Sequence, residues 1–268
     1  MNDGGAVSGR IDKTKASYTI LKRFRFTSFT GNIDHMKKLS RKWSEKDDRS
    51  TESTPKSSRV QKRRAQKLRI IGGSMRGRTV IYHGAEFTRP MKDSVRESLF
   101  NIIGPRIKGS LAVDLFAGTG AVAFESISRG ASRAIAIERN RHAAKFLAST
   151  AETLGIADRF SLLTGDAFRL GAGVLGPMNT DQAEAETPRI IFFCPPYAMW
   201  ESENESLRRL FQSARTNSPP GSLLVAETDK HQDEELLPKG TWDHRTYGGT
   251  RLSFLEPELV CGMRGFDA

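Results

Sequence analysis

The stretch Val113-Asp114-Leu115-Phe116-Ala117-Gly118-Thr119-Gly120 decides the fold. A short apolar strand runs into a turn that contains two glycines, and a helix is predicted to follow from about Ala121. Glycines let the backbone approach a ligand closely, and the N-terminus of a helix presents N–H groups that have no partner within the helix. In an open parallel sheet, such a turn lies at the carboxyl edge, where ligands bind.

The sequence around this stretch alternates short apolar strands with helices. Strands are predicted at 111–116, 134–138, 160–163, 190–194 and 222–227, and helices from about residues 121 and 141 and near 207–214. This alternation predicts an α/β fold whose parallel sheet is covered on both faces. Segments 243–247 and 251–255, joined near Gly248-Gly249, are expected to form an antiparallel hairpin at the sheet edge.

Two further regions flank the predicted sheet. Strands from Leu68 and from Arg78 surround a glycine-containing turn, and a helix follows, with Asp93 as its expected N-cap and Gly104-Pro105 at its end. Residues 171–187 are rich in glycine and then acidic and polar, which predicts a surface insertion.

The basic residues of the chain are concentrated near its beginning. Residues 1–67 hold 18 of the 42 Lys and Arg residues but 7 of the 31 Asp and Glu residues, so this segment carries the whole net charge of +11. Its composition predicts disorder, and its charge indicates a polyanionic partner, nucleic acid first and an anionic membrane second. The segment is expected to be an RNA-binding arm, a solvated tail, or an extension upstream of a start at Met36.

Several classes of protein are excluded by the same composition. Two cysteines, Cys194 and Cys261, are too few for a disulfide framework or a four-cysteine zinc site. No apolar run approaches the roughly 20 residues of a membrane span, and the N-terminus lacks the apolar core of a signal peptide. We therefore expect a cytoplasmic, monomeric protein.

Three acidic residues follow three successive predicted strands. Asp114 precedes the glycine turn, where a carboxylate would repel a pyrophosphate but suits the ammonium group of S-adenosylmethionine. Glu138 can accept from ribose hydroxyls, and Asp166, before Ala167, can accept from an adenine amine. Each could instead be a turn or cap residue, and Gly118, Gly120 and Ala123 also fit a nicotinamide dinucleotide fingerprint. The three together favour a cofactor site.

The segment Cys194-Pro195-Pro196-Tyr197 indicates the chemistry. Two prolines after a strand form a rigid turn whose carbonyl groups can accept hydrogen bonds, and an aromatic residue can stack on an extruded base. Such a turn can hold a planar amine and direct its nitrogen at a sulfonium methyl group. A core turn with a packed tyrosine is the structural alternative.

Together these motifs resemble the bacterial 16S rRNA (guanine-N2)-methyltransferases, the RsmD family. The resemblance covers about residues 68–256 and rests on Arg69-Ile-Ile-Gly-Gly, Arg76-Gly-Arg78, Arg89-Pro, Asp93, Val95-Arg-Glu97, Leu99-Phe-Asn101, Asp114-Leu-Phe-Ala-Gly-Thr-Gly120, and Tyr247-Gly-Gly-Thr250 with Leu252. It implies a Rossmann-like seven-stranded S-adenosylmethionine-dependent methyltransferase fold over 111–268. An N-terminal hairpin and helix over 68–110 and the basic extension 1–67 would precede this domain.

The resemblance also implies roles for particular residues. The cofactor residues would be Asp114, Phe116, Gly118, Gly120, Glu138, Asp166 and Ala167. The catalytic residues would be Cys194, Pro195, Pro196 and Tyr197. The RNA phosphates of the ribosomal RNA, or of the assembling small subunit, would be held by Arg69, Arg76, Arg78 and Arg89.

The chain departs from the family pattern at one position. The family has Asp-Pro-Pro-Tyr or Asp-Pro-Pro-Phe, and Cys194 stands in place of the Asp. A thiol is a poor acceptor, so one hydrogen bond to the target amine is weakened. The departure leaves two alternatives, a weak or inactive RNA-binding protein and a cysteine nucleophile in C5-pyrimidine methylation. The Pro-Pro-Tyr turn alone also allows an N-methyltransferase of another base in RNA or DNA, and the glycine pattern allows a nicotinamide oxidoreductase.

Overall fold

The computed structural model describes residues 65–84, 90–176 and 185–257. The strands are β1 (Gln66–Arg69), β2 (Thr79–Tyr82), β3 (Leu111–Asp114), β4 (Arg133–Glu138), β5 (Phe160–Thr164), β6 (Arg189–Phe193), β7 (Leu223–Asp229), β8 (Asp243–Tyr247) and β9 (Thr250–Leu255). The helices are α1 (Asp93–Ile103), α2 (Ala121–Ser128), α3 (Arg141–Leu154), α4 (Ala167–Leu175), α5 (Met199–Ser202) and α6 (Asn204–Asn217). Single 3-10 turns cover Gly104–Ile107 and Glu234–Leu236.

Seven strands form one sheet in the order β5-β4-β3-β6-β7-β9-β8. The first five strands of that order are parallel, whereas β9 pairs antiparallel with both β7 and β8. This sheet confirms the predicted Rossmann-like seven-stranded fold and its antiparallel edge hairpin. Because β4 lies on one side of β3 and β6 on the other, the strand order reverses beside β3, and a crevice opens at the carboxyl ends there.

Alternating strand residues bury two separate apolar faces. Ala112 belongs to the core cluster that packs under α1, α2 and α3, while its neighbour Val113 belongs to the cluster under α4, α5 and α6. Successive side chains of a strand point to opposite faces, so a sheet covered on both sides needs apolar residues at nearly every position. The buried run Leu111–Asp114 meets this requirement.

The small β1–β2 hairpin is attached to the sheet through a buried carboxylate in α2. Glu125 is fully buried and accepts hydrogen bonds from the N–H groups of Ile71 at 2.8 Å and Gly72 at 2.7 Å. The same carboxylate pairs with Arg129 at 2.7 Å and lies 3.7 Å from the fully buried Arg96. Gly73 has a φ of +76°, and a Cβ there would come within 1.9 Å of the Ser128 carbonyl oxygen. Glycine is therefore required at this contact.

Two local predictions were wrong. Asp93 is not the N-cap of α1, because Lys92 occupies that position and Asp93 is the first helical residue. The Asp93 carboxylate instead pairs with Arg69 at 2.9 Å and with Arg96 at 3.0 Å. Residues 171–175 are not part of a surface insertion, because they form the second half of α4. A Cβ at Gly171 would lie 2.8 Å from Cδ2 of Leu210, so this glycine permits close packing of α4 on α6.

Some predicted features lie outside the described residues. These are residues 1–64 of the basic extension, Arg89, the stretch 177–184 and Cys261. Strand β1 begins at Gln66, two residues before the predicted start. The division of the chain at 67/68 and 110/111 stays a prediction. Within 65–84, 90–176 and 185–257, no helix combines the length and apolar character needed to cross a membrane.

Candidate active site

A cleft of about 910 Å³ opens at the carboxyl ends of the parallel strands. Its walls come from the segments that follow β3, β4 and β6, from the end of β7, from the β8–β9 turn and from residues 90–92 before α1. The cleft lies where the strand order reverses, as expected for a ligand site in an open α/β sheet. The glycine turn and the Pro-Pro-Tyr turn thus border one cavity.

Asp114 lies beneath the glycine turn and does not line the cleft. Its side chain is 2% exposed, and its carboxylate receives hydrogen bonds from the backbone of Phe116 and Ala123. Burial, reinforced by the nearby carboxylates of Glu138 and Glu227, raises the pKa of Asp114 to about 7. A cation bound nearby would favour the ionised form of this group.

Glu138 connects the glycine turn to the end of β4. Its Oε2 atom accepts from the N–H of Gly118 at 2.8 Å, and its Oε1 atom accepts from the N–H of Asn140 at 2.6 Å. Glu138 and Gly118 both line the cleft. Burial raises the pKa of Glu138, although the backbone hydrogen bonds and Arg139 oppose that shift. Its carboxylate therefore stands at the cleft wall in a fixed orientation and can accept from a diol.

The start of α2 depends on Gly120. This glycine caps the helix with a φ of +72°, and a Cβ there would lie 2.8 Å from the Phe124 ring. A side chain at this position would strain the backbone and displace the core. Glycine is therefore required where the turn passes into α2.

Asp166 and Ala167 occupy the start of α4. Asp166 caps this helix, its Oδ1 atom accepting from the N–H of Phe168 at 2.8 Å. Neither Asp166 nor Ala167 is among the described residues that line the cleft, whereas Phe116 is. The rings of Phe116 and Phe168 meet edge to face at 5.8 Å, so they connect α4 to the cleft wall.

The segment Cys194-Pro195-Pro196-Tyr197 lines the cleft after β6. The Tyr197 hydroxyl lies 3.3 Å from Oε1 of Glu227 and 3.1 Å from Oγ1 of Thr250, and these contacts fix the orientation of the ring. The Cys194 side chain is partly buried against the core.

The thiol of Cys194 is held in its neutral form. Burial and the carboxylates of Glu227 and Asp114 raise its pKa well above the usual value. The thiolate is the nucleophilic form of cysteine, so this environment opposes the alternative in which Cys194 attacks a pyrimidine ring.

Of the arginines predicted to bind phosphates, Arg69, Arg76 and Arg78 belong to the described residues, and none of these three lines the cleft. Arg69 is exposed and pairs with Asp93, and Arg76 is exposed in the hairpin turn. Arg78 donates to the carbonyl oxygens of Leu154 at 3.0 Å and Thr153 at 2.6 Å, so it also stabilises the C-terminal end of α3.

Sequence reasoning missed several residues of the site. Glu227 and Asp229 on β7, and Thr250 at the start of β9, line the cleft, and so do the basic residues Lys92, Arg139 and Arg141. Glu227 ends a strand that the sequence predicted, so the rule that identified Asp114 and Glu138 could also have identified it.

The residues present fit S-adenosylmethionine, which combines an ammonium group, a sulfonium group and a ribose diol. Carboxylates of Glu138, Glu227 and Asp229 line the cleft, and the Asp114 carboxyl lies directly behind the glycine turn. The sheet order, the glycine turn and this acidic cleft define the protein as a Rossmann-like S-adenosylmethionine-dependent methyltransferase.

Within that class, residues 68–256 match the family described as Conserved hypothetical protein 95, and the chain belongs to this family, the RsmD family. YlbH of Bacillus subtilis, named provisionally as an rRNA methyltransferase, is 33% identical over 69% of this chain and 97% of its own length. Ribosomal RNA small subunit methyltransferase D of Escherichia coli strain K12 is 41% identical over 48% of this chain and 60% of its own length. The solved structure of the E. coli methyltransferase yhhF, also provisionally named, superposes with a TM-score of 0.54 and 27% identity over 70% of this chain and 97% of its own.

Proposed function

We propose that this protein transfers a methyl group from S-adenosylmethionine to the exocyclic N2 amine of a guanine in small-subunit (16S) ribosomal RNA. The observation that carries the proposal is the placement of Pro195-Pro196-Tyr197 in the same cleft as Glu138 and the glycine turn. Relatives named as ribosomal RNA small subunit methyltransferase D support the choice of RNA.

The cofactor would lie along the ends of β3, β4 and β5. Glu138 would accept from the ribose hydroxyls, and Asp114 would act on the ammonium group from behind the turn formed by Gly118 and Gly120. Phe116, Asp166 and Ala167 would surround the adenine. When bound, S-adenosylmethionine supplies an electrophilic methyl group, which forms a bond to the amine nitrogen as its bond to sulfur breaks.

The target base would lie against the Pro-Pro-Tyr turn. The Tyr197 ring, fixed through its hydroxyl by Thr250 and Glu227, would stack on the base. The carbonyl group of Pro195 would accept a hydrogen bond from the amine and hold its nitrogen toward the methyl group. Cys194 contributes a neutral thiol beside this position.

The RNA backbone would be held by basic residues outside the cleft and at its wall. Arg69, Arg76, Arg78 and Arg89, together with the basic extension 1–67, would contact phosphates. Lys92 and Arg139 line the cleft and would extend this surface toward the target nucleotide.

Methyl transfer can be tested with tritiated S-adenosylmethionine and small-subunit RNA or particles that lack the modification. Nucleoside analysis of the labelled RNA should give N2-methylguanosine. A label on adenine or cytosine would replace this proposal with a methyltransferase of another base. The variants Cys194→Asp and Cys194→Ala, compared with the native chain, report how far the thiol limits the rate.

A second candidate is an RNA-binding protein with little or no activity. The neutral thiol of Cys194 favours this reading, because an acceptor of the target amine is missing at that position. Label on RNA from Cys194→Asp but none from the native chain would support it. Strong binding of S-adenosylhomocysteine by the native chain would count against it, since an inactive protein has no need to retain the cofactor site.

A further inference from the structure

Glu227 stands beside Cys194 at the ends of neighbouring strands. Phe193 pairs with Ala226 in the parallel β6–β7 ladder, so the next residue along each chain is Cys194 on one side and Glu227 on the other. Both side chains line the cleft. A carboxylate is therefore present next to the position where the family has its Asp.

The Cys194 and Glu227 side chains differ in their capacity to accept hydrogen bonds. The Glu227 carboxylate lies close enough to the Cys194 thiol to raise its pKa. A protonated thiol donates and accepts only weakly, whereas an ionised carboxylate is an acceptor alone. Of these two side chains, Glu227 rather than Cys194 is therefore the acceptor for a substrate amine, beside the carbonyl group of Pro195.

We propose that Glu227 recognises the target base as a guanine by accepting hydrogen bonds from its N1–H and its N2 amine. This inference rests on the proposed function and specifies the group that selects the substrate. Guanine presents two adjacent donors on its Watson–Crick edge, and the two oxygens of a carboxylate match them. Adenine and cytosine place a ring-nitrogen lone pair next to their amine, which a carboxylate would repel.

The surroundings of Glu227 fix its position. Its Oε1 atom lies 3.3 Å from the Tyr197 hydroxyl, and the residue lines the cleft. The indole N–H of Trp200 donates to the Glu227 carbonyl oxygen at 2.9 Å, and Trp200 is fully buried. The backbone of Glu227 is therefore held in place, and its side chain lies beside the ring that would stack on the base.

The same position allows Glu227 to accept the proton that the target amine loses in the reaction. As the new carbon–nitrogen bond forms and the carbon–sulfur bond breaks, the nitrogen gains a positive charge and must lose a proton. The Glu227 carboxylate, already hydrogen-bonded to that N–H, accepts the proton and later releases it to solvent. Replacement by glutamine keeps the size of the side chain but removes both the charge and the proton acceptor.

Nucleoside binding tests the inference without requiring turnover. The complex of the full chain with S-adenosylhomocysteine is titrated with millimolar guanosine, adenosine and 2-aminopurine riboside and followed by NMR. Guanosine should bind at least about tenfold more tightly than 2-aminopurine riboside, which has the amine but no N1–H. Glu227→Gln should abolish this preference when both proteins are saturated with S-adenosylhomocysteine, and the unfolding midpoint of the variant checks that it is folded. Glu205→Gln, at an exposed position of α6, is the matched control and should retain the preference.

Activity provides an independent readout. Glu227→Gln should lower kcat for RNA methylation, and adding Cys194→Asp to this variant should restore much of it, because aspartate supplies the missing acceptor. If native RNA is methylated at guanine and Glu227→Gln is equally active, the inference fails while the proposed function stands. If guanosine preference depends on Glu227 but no RNA is methylated, the recognition stands and the proposed reaction fails. Absence of any guanosine-induced shift in the native complex would overturn the inference.

Discussion

The Oε2 atom of Glu138 accepts the backbone N–H of Gly118 at 2.8 Å, so the side chain that ends β4 fixes the turn that follows β3. The Glu138 carboxylate thus has two functions. It keeps the glycine turn in place, and it presents its remaining lone pairs to a ligand in the cleft.

Glu138→Ala should weaken binding of S-adenosylhomocysteine by roughly 10- to 150-fold. This range corresponds to the loss of one hydrogen bond to a charged group, about 1.5–3 kcal/mol. Calorimetric titration measures the effect. Glu152→Ala, on the exposed face of α3, is the control and should bind as the native chain does. Equal affinities for Glu138→Ala and the native chain would place the ribose elsewhere.

The raised pKa of Asp114 predicts how the stability of the protein depends on pH. Its pKa of about 7 lies above the usual value of a carboxyl in an unfolded chain, so between about pH 4 and 7 the folded state keeps a proton that the unfolded state has lost. The free energy of unfolding should therefore fall as pH rises through this window, by up to ~4 kcal/mol from this group. Urea unfolding at several pH values should show a smaller fall for Asp114→Asn. Parallel pH profiles for the two proteins would contradict the assignment.

The carboxylate of Glu125 should be the main attachment of the hairpin to the sheet. Glu125→Ala removes the acceptor of Ile71 and Gly72 and leaves the buried Arg96 without its nearest buried carboxylate. We expect a loss of about 3–5 kcal/mol in the free energy of unfolding, typical of breaking a buried ion pair. Glu97→Ala, at an exposed position of α1, should change it by less than about 0.5 kcal/mol. If Glu125→Ala also lowered the free energy of unfolding by less than about 0.5 kcal/mol, other contacts would have to attach the hairpin.

Substitutions of Arg76 and Arg78 should differ in their effects, because the first should weaken RNA binding alone and the second should weaken both RNA binding and stability. Arg76 is exposed, so Arg76→Gln should weaken RNA binding uniformly across sequences, reduce the salt dependence by about one charge and leave the unfolding midpoint unchanged. Arg78 also donates to two carbonyl groups at the end of α3, so Arg78→Gln should lower the midpoint as well. Filter binding over a salt series and thermal unfolding measure the two effects. An unchanged salt slope for Arg76→Gln would exclude Arg76 from the RNA surface.

The sheet could be predicted from sequence because its strands are buried on both faces and therefore appear as short apolar runs. The helix α4 could not be, because Gly171 and Gly173 are atypical of helices, and only the closeness of α6 explains Gly171. The capping residue of α1 was misassigned because the Asp93 carboxylate is drawn to Arg69 and Arg96, two contacts that depend on tertiary structure.

The candidate site was predictable where its residues follow strands in a recognisable motif. Cys194 and Tyr197 were identified in this way, and they do share a cleft with Glu138. Glu227 was missed although it ends a predicted strand, because its relation to Cys194 depends on the register of two strands far apart in sequence. Asp114 was identified, but its burial and its raised pKa could not be read from the sequence.

Calorimetric titration of the purified chain with S-adenosylmethionine and, separately, with NAD tests the central claim most directly. The cleft geometry predicts a single site of micromolar affinity for S-adenosylmethionine, weakened by Glu138→Ala, and no measurable binding of NAD. Saturable binding of NAD, or no heat from S-adenosylmethionine at millimolar concentration, would contradict the assignment of this cleft to a methyl donor.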